Sequence, residues 1–187
     1  MVTDTPTRRF TATEFLLMEE AGVFKPNERV ELIEGEIIPM LPIGPFHSDT
    51  VDELIELFSS KSKGRWRVRG QHAVEIDDES LPQPDVTLVK RRRYGKAHPR
   101  PEDVYLLVEV AESSLRFDRK RKLPLYAKAG IPEYWIINLK DRTVEVHREP
   151  NFTGYGTKMI LESGQSASPS AFPDTKISVA ELLAAAE

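Results

Sequence analysis

Two short apolar segments, each broken by a single carboxylate, constrain this chain more than anything else in it. One is Gln83-Pro84-Asp85-Val86-Thr87-Leu88-Val89, the other Tyr105-Leu106-Leu107-Val108-Glu109-Val110-Ala111. Their β-branched and aliphatic residues predict strands. A carboxylate inside such a strand is costly to bury unless it is paired or bound to a cation. Two of them in neighbouring apolar strands point to a shared cation, and a shared cation points to hydrolytic chemistry. The second segment is the more apolar and is expected at the centre of a sheet.

The remaining pattern supplies the elements around these strands. Thr11-Ala12-Thr13-Glu14 predicts a capped helix start, with Phe15, Leu16 and Met18 facing inward and Gly22 ending the helix. Residues 30–33 and 37 onward predict a hairpin turning at Gly35. Val51, Leu54, Ile55 and Phe58 form one helical stripe within 47–60. Short strands are expected at 66–68 and 73–76, and a charged loop over 90–103. A helix is predicted over 117–129, closed by Gly130. Pro124 sits awkwardly inside it, because proline is tolerated only in a first helical turn. Strands follow at 133–139, 143–148 and 154–161. A short terminal helix over 178–186 is capped by Ser178. The alternation implies an α/β (α+β) fold, a mixed sheet flanked by helices. At 187 residues, residues 1–187 are expected to form a single domain.

Composition narrows the function. Net charge is −4 and cysteine is absent, which argues against a generic polyanion binder and excludes disulfides and thiolate metal sites. Two arginines and no apolar run in residues 1–10, and no span-length apolar stretch, lead us to expect a cytoplasmic protein without a membrane segment. Basic residues nonetheless cluster twice: Lys90, Arg91, Arg92, Arg93, Lys96 and Arg100, then Arg116, Arg119, Lys120, Arg121, Lys122 and Lys128. Either cluster is a solvated face or a phosphate contact. Tyr126, Tyr134 and Trp135 sit among aliphatic residues and read as core, not as base-stacking platforms.

At this point the chain resembles a known family. Pro84-Asp85, Val108-Glu109-Val110, Asp118-Arg119-Lys120-Arg121-Lys122 and Tyr126 to Ile137, with Arg9-Phe10-Thr11, Glu31 to Glu36 and His47, resemble the Uma-two family of bacterial endonucleases in the PD-(D/E)XK nuclease superfamily. The resemblance implies a restriction-endonuclease-like sheet of about four to five strands. It also implies a site where Asp85 and Glu109 hold Mg²⁺, or Mn²⁺, with Glu34 facing the site and Glu36 a weaker rival. The superfamily's lysine, two residues after the second acid, is replaced here by Ala111, and the resemblance points to Lys122, then Lys120, as the substitute. A simple Asp118–Lys122 ion pair is the competing role for Lys122. The function implied is Mg²⁺-dependent hydrolysis of DNA, with a homodimer possible. The alternatives are a non-catalytic module of the same fold that binds nucleic acid or protein, and a hydrolase of RNA or a small molecule. His47, Gln71, His72, Glu112, Ser113 and Ser114 lie close in sequence to the site. The serines are expected to cap the next helix, and Glu112 is expected on the face opposite Glu109.

Overall fold

The computed structural model describes residues 7–40 and 44–184. At its centre is a six-stranded mixed sheet in the order β3-β4-β5-β6-β7-β8. These strands are β3 (Trp66–Gly70), β4 (Val86–Lys90), β5 (Val104–Ala111), β6 (Glu133–Asn138), β7 (Thr143–Asn151) and β8 (Gly154–Leu161). Only β5 and β6 pair in parallel; the other neighbours are antiparallel. A crossover segment must therefore join β5 to β6, and that segment carries Lys122. β5 is central, as its apolar run predicts. The sheet exceeds the four to five strands expected, because β7 and β8 extend it.

Helices cover both faces. On one face α2 (Pro45–Ser62) packs Val51, Leu54 and Phe58 against Val86, Leu88, Leu106 and Val108. The terminal helix α5 (Val179–Leu182), capped by Ser178, joins this core through Val179 and Leu182. On the other face Leu125 and Tyr126 pack with Leu107, Ala111, Tyr134 and Ile136. A hairpin of β1 (Val30–Ile33) and β2 (Glu36–Pro39) closes this side, with Ile33 in the same cluster. Helix α1 (Ala12–Glu20) starts at the Thr11–Glu14 capping box and buries Phe15 against Leu32 and Leu81. Leu16 is exposed, against expectation. No helix among the described residues is long and apolar enough to cross a membrane.

Two further expectations need correction, and one strand pair is new. Residues 73–76 form no strand: Val74, Glu75 and Ile76 donate instead to Pro82, Pro99 and Ser80 in a folded-back loop. Two short strands, β9 (Ser166–Ala167) and β10 (Ile177–Ser178), pair antiparallel in a stretch that carried no strand signal. The helix predicted over 117–129 is three pieces: α3 (Leu115–Phe117), a π-helical turn (Asp118–Lys122) and α4 (Leu123–Lys128). The Leu123 N–H reaches back five residues to the Asp118 carbonyl. Pro124 lacks the N–H an α-helix would need at that point, so the wider turn precedes it and proline falls in the first turn of α4. The end of the predicted terminal helix, residues 185–186, lies outside the described residues.

Candidate active site

The β4–β5 ladder pairs Val86 with Val108, so its next rung sets Asp85 opposite Glu109. The row continues through Ile136, Glu145 and Ile160 across β6, β7 and β8. On the other side Gln71 donates its N–H to the Asp85 carbonyl at 2.9 Å. Asp85 and Glu109 therefore project from neighbouring strands to one face, which antiparallel pairing requires of opposed residues. Both line a hollow of about 280 Å³, together with Glu31, His47, Glu112, Ser113, Ser114, Asp118 and Lys122.

The hydrogen bonds hold each carboxylate in place. The Val110 N–H donates to Asp85 Oδ2 at 2.8 Å. Asp85 Oδ1 lies 3.0 Å from His47 Nε2, in the first turn of α2, and accepts from Gln71 Nε2 at 3.3 Å. Glu109 Oε1 accepts from Lys122 Nζ at 3.0 Å and from the Tyr126 hydroxyl at 3.1 Å. Among the described residues Oε2 accepts from none. Lys122 Nζ also pairs with Glu31 Oε2 at 3.1 Å. Asp118 and Lys122, four residues apart across the π-helical turn, both turn inward, while Arg119 and Arg121 point to Glu145 and Glu36.

Four buried carboxylates, Glu31, Asp85, Glu109 and Asp118, thus surround one lysine and one histidine. With all four ionised and His47 protonated, two negative charges would be in excess. The acidities register this. Burial alone would raise the Asp85 pKa, but the His47 hydrogen bond and charge, the Val110 N–H and Lys122 outweigh it and the carboxyl lies below its usual value. Burial pushes Glu109 well above the carboxylate range; Lys122 offsets part of that, and the neighbouring Asp85, Asp118 and Glu31 add to it. Burial likewise pushes Asp118 up to about 6. Burial opposes the Lys122 charge, yet Glu109, Glu31 and Asp118 raise its pKa further still. His47 is raised because Asp85 outweighs its burial.

This donor set fits a hard divalent cation. Among the described residues no three His, Asp or Glu side chains form a ready cage. Mg²⁺ asks for less: it keeps most of its waters and takes one or two carboxylates plus substrate oxygens. Asp85 and Glu109, with Glu109 Oε2 free of donors, would hold it, and its charge would offset the excess on the cluster.

Each residue singled out from the sequence has a defined place. Asp85, Glu109 and Lys122 converge, and Lys122 salt-bridges Glu109 and Glu31 rather than serving only as a partner for Asp118. Glu34 does not join them. It sits in the β1–β2 turn at φ +49° with its side chain 48% exposed, 3.4 Å from Arg121, and Glu36 pairs with the same arginine. Glu31, whose exposure is 3%, takes the place in the cluster instead. Glu112 lines the hollow because β5 ends at Ala111 and strand alternation ends with it. Ser114 stands at the N-cap of α3 as expected, but its hydroxyl donates to Asp118 Oδ2 at 2.6 Å instead of making a capping bond. His72 is exposed, hydrogen-bonded to the Gly70 carbonyl. Half of the second basic group, Arg119, Arg121 and Lys122, is spent on internal ion pairs, which leaves Arg116, Lys120 and Lys128 outward. Asp118 and Glu31 were missed; both are acids flanked by apolar or basic residues and buried by the same logic as Glu109.

A family model described as "Uma2: Putative restriction endonuclease" matches residues 12–180. The chain belongs to the Uma2 family. A crystal structure from Anabaena variabilis, described as a "putative nuclease belonging to DUF820", has the same fold at a TM-score of 0.74 and 18% identity; the match covers 95% of this Uma2 chain and 99% of that one. No curated protein matches.

Proposed function

We propose that this Uma2 protein is a Mg²⁺-dependent endonuclease that hydrolyses DNA phosphodiesters in the Asp85–Glu109 hollow. One observation carries the reading: Asp85 and Glu109 oppose each other on adjacent strands and line one hollow with a buried lysine. Family membership supports a nucleic-acid substrate.

A cation held there would supply a hydroxide nucleophile at neutral pH and charge stabilisation on the phosphate. The chain's own residues set the stage for it. Val110 N–H, Gln71 and His47 fix the Asp85 carboxylate, while Tyr126 and Lys122 fix Glu109. Lys122, kept cationic by three carboxylates, stands where it would orient water and offset charge growing on the scissile phosphate. Its ammonium reaches the hollow from the β5–β6 crossover, in place of the lysine that Ala111 does not provide.

Supercoiled plasmid incubated with Mg²⁺ tests this. Wild type should nick it, and Asp85→Ala and Glu109→Ala should lose at least about a hundredfold in rate, the scale on which removing one preorganised electrostatic group acts. Equal cutting by all three proteins would sink the proposal. Ala111 at the usual lysine position favours a second reading, a non-catalytic binding module. That reading requires DNA binding with no Mg²⁺ site at the two carboxylates, which calorimetry separates.

A further inference from the structure

Several arginines here are answered by a carboxylate: Arg65 by Asp174, Arg92 by Asp103, Arg100 by Glu75, Arg148 by Glu133. Arg67 and Arg69 on β3 are different. Among the described residues neither makes an ion pair or a hydrogen bond. The Arg69 Nε is buried without a partner, and so is the hydroxyl of Thr87, its ladder neighbour on β4. Only the Tyr94 ring supports the Arg69 guanidinium, 5.6 Å from its centroid. Burial works against the Arg69 charge, Tyr94 favours it, and the like charge of Arg67 opposes it again. An unanswered, half-buried cation beside a second cation is an energetic cost with no return inside the fold.

Placement gives that cost a purpose. Arg67 and Arg69 alternate along β3, so they share a face, and Gln71 stands just past the strand end at φ +50°. Gln71 closes the line at the candidate active site through its contact with Asp85. Two residues along a strand advance about 6.7 Å, of the same order as the step between successive phosphates on a nucleic-acid strand. β3 is the edge strand of the sheet, and Arg67 is exposed on it. Each guanidinium fork matches the oxygens of one phosphate.

We propose that Arg67 and Arg69 form a phosphate track, each taking one backbone phosphate of the DNA strand that enters the Asp85–Glu109 hollow. The inference rests on the nuclease reading and extends it to how the substrate is held. Such contacts fix register without reading sequence.

Full-length protein in chelator, titrated with a labelled duplex by fluorescence anisotropy over a series of salt concentrations, tests the track. Arg67→Gln and Arg69→Gln should each weaken binding and lower the slope of log affinity against log salt by about one, the signature of one lost phosphate contact. Arg69→Lys should restore most of that slope, which a merely structural role for Arg69 would not predict. Lys128→Gln, exposed on α4, should leave it unchanged. Unchanged slopes for both glutamine variants would overturn the track, as would no binding by wild type, or losses seen on an RNA probe but not on DNA. Plasmid nicking measured in parallel separates the two claims. Wild type that cuts while the slopes stay fixed removes the track and leaves the nuclease. Slopes that fall while Asp85→Ala cuts as well as wild type remove the nuclease and leave the track.

Discussion

Glu31 and Glu34 show how much one strand position decides. They lie three residues apart in the hairpin, yet Glu31 is buried against Lys122 and Glu34 faces solvent beside Arg121. Alternation along β1 puts Glu31 on the same side as Ile33, which faces the side of the sheet that carries the hollow. Glu34 is beyond the strand, in a left-handed turn. Glu31→Gln is therefore expected to cut activity by about 10–100-fold, the range for a residue that positions a reacting group. Glu34→Ala should leave plasmid nicking close to wild type; the reverse ranking would contradict the assignment. Asp118 carries a pH prediction. Its folded carboxyl, raised to about 6, holds a proton more tightly than the unfolded chain does. The stability it contributes is complete below about pH 4 and is lost as pH rises through 6. In metal-free protein Asp118→Asn should accordingly raise unfolding free energy at pH 8, by up to about 3 kcal/mol for a shift of roughly two units. Urea unfolding should show that gain closing by about pH 4. A gain largest in acid would refute it.

Among the elements, the π-helical turn does what sequence patterning could not announce. The 117–129 segment reads as one helix with a misplaced proline, and the reading locates the element but not its register. Pro124 was the visible clue, because its missing N–H had to be accommodated somewhere. A π-bulge is one residue wider than an α-turn and commonly marks a functional position. Deleting exposed Lys120 should let the segment wind as a plain α-helix and rotate Lys122 by about 100°, out of reach of Glu109. Nicking should then fail in the deletion protein, while Lys120→Ala cuts normally. Activity surviving the deletion would show that the wide turn is not what aims Lys122. The loop over 73–76 was misread as a strand for a related reason. Its alternation is real, but its N–H groups go to Pro82, Pro99 and Ser80 rather than to a neighbouring strand.

For the whole molecule, the sheet was legible because its strands are separated by turn residues, and β5 announced its central place through an apolar run interrupted only by Glu109. The convergence of Asp85 with Glu109 was legible too, as two acids too costly to bury alone. What could not be read was long-range: that Glu31, 78 positions before Glu109 in the chain, shares a lysine with it. Under the proposed function, a hollow lined by four buried carboxylates would need a cation before it could take a phosphate. By linkage, Mg²⁺ or Mn²⁺ should raise the melting temperature of wild type in a concentration-dependent way. Glu109→Gln should remove most of that rise, and an equal rise in the variant would place the ion elsewhere. The central claim is tested most directly by a crystal soaked in Mn²⁺ and measured for anomalous scattering. The account predicts a peak within coordination distance of both Asp85 and Glu109, absent from Asp85→Asn crystals. A peak away from those carboxylates, or none in a fully soaked crystal, would contradict it.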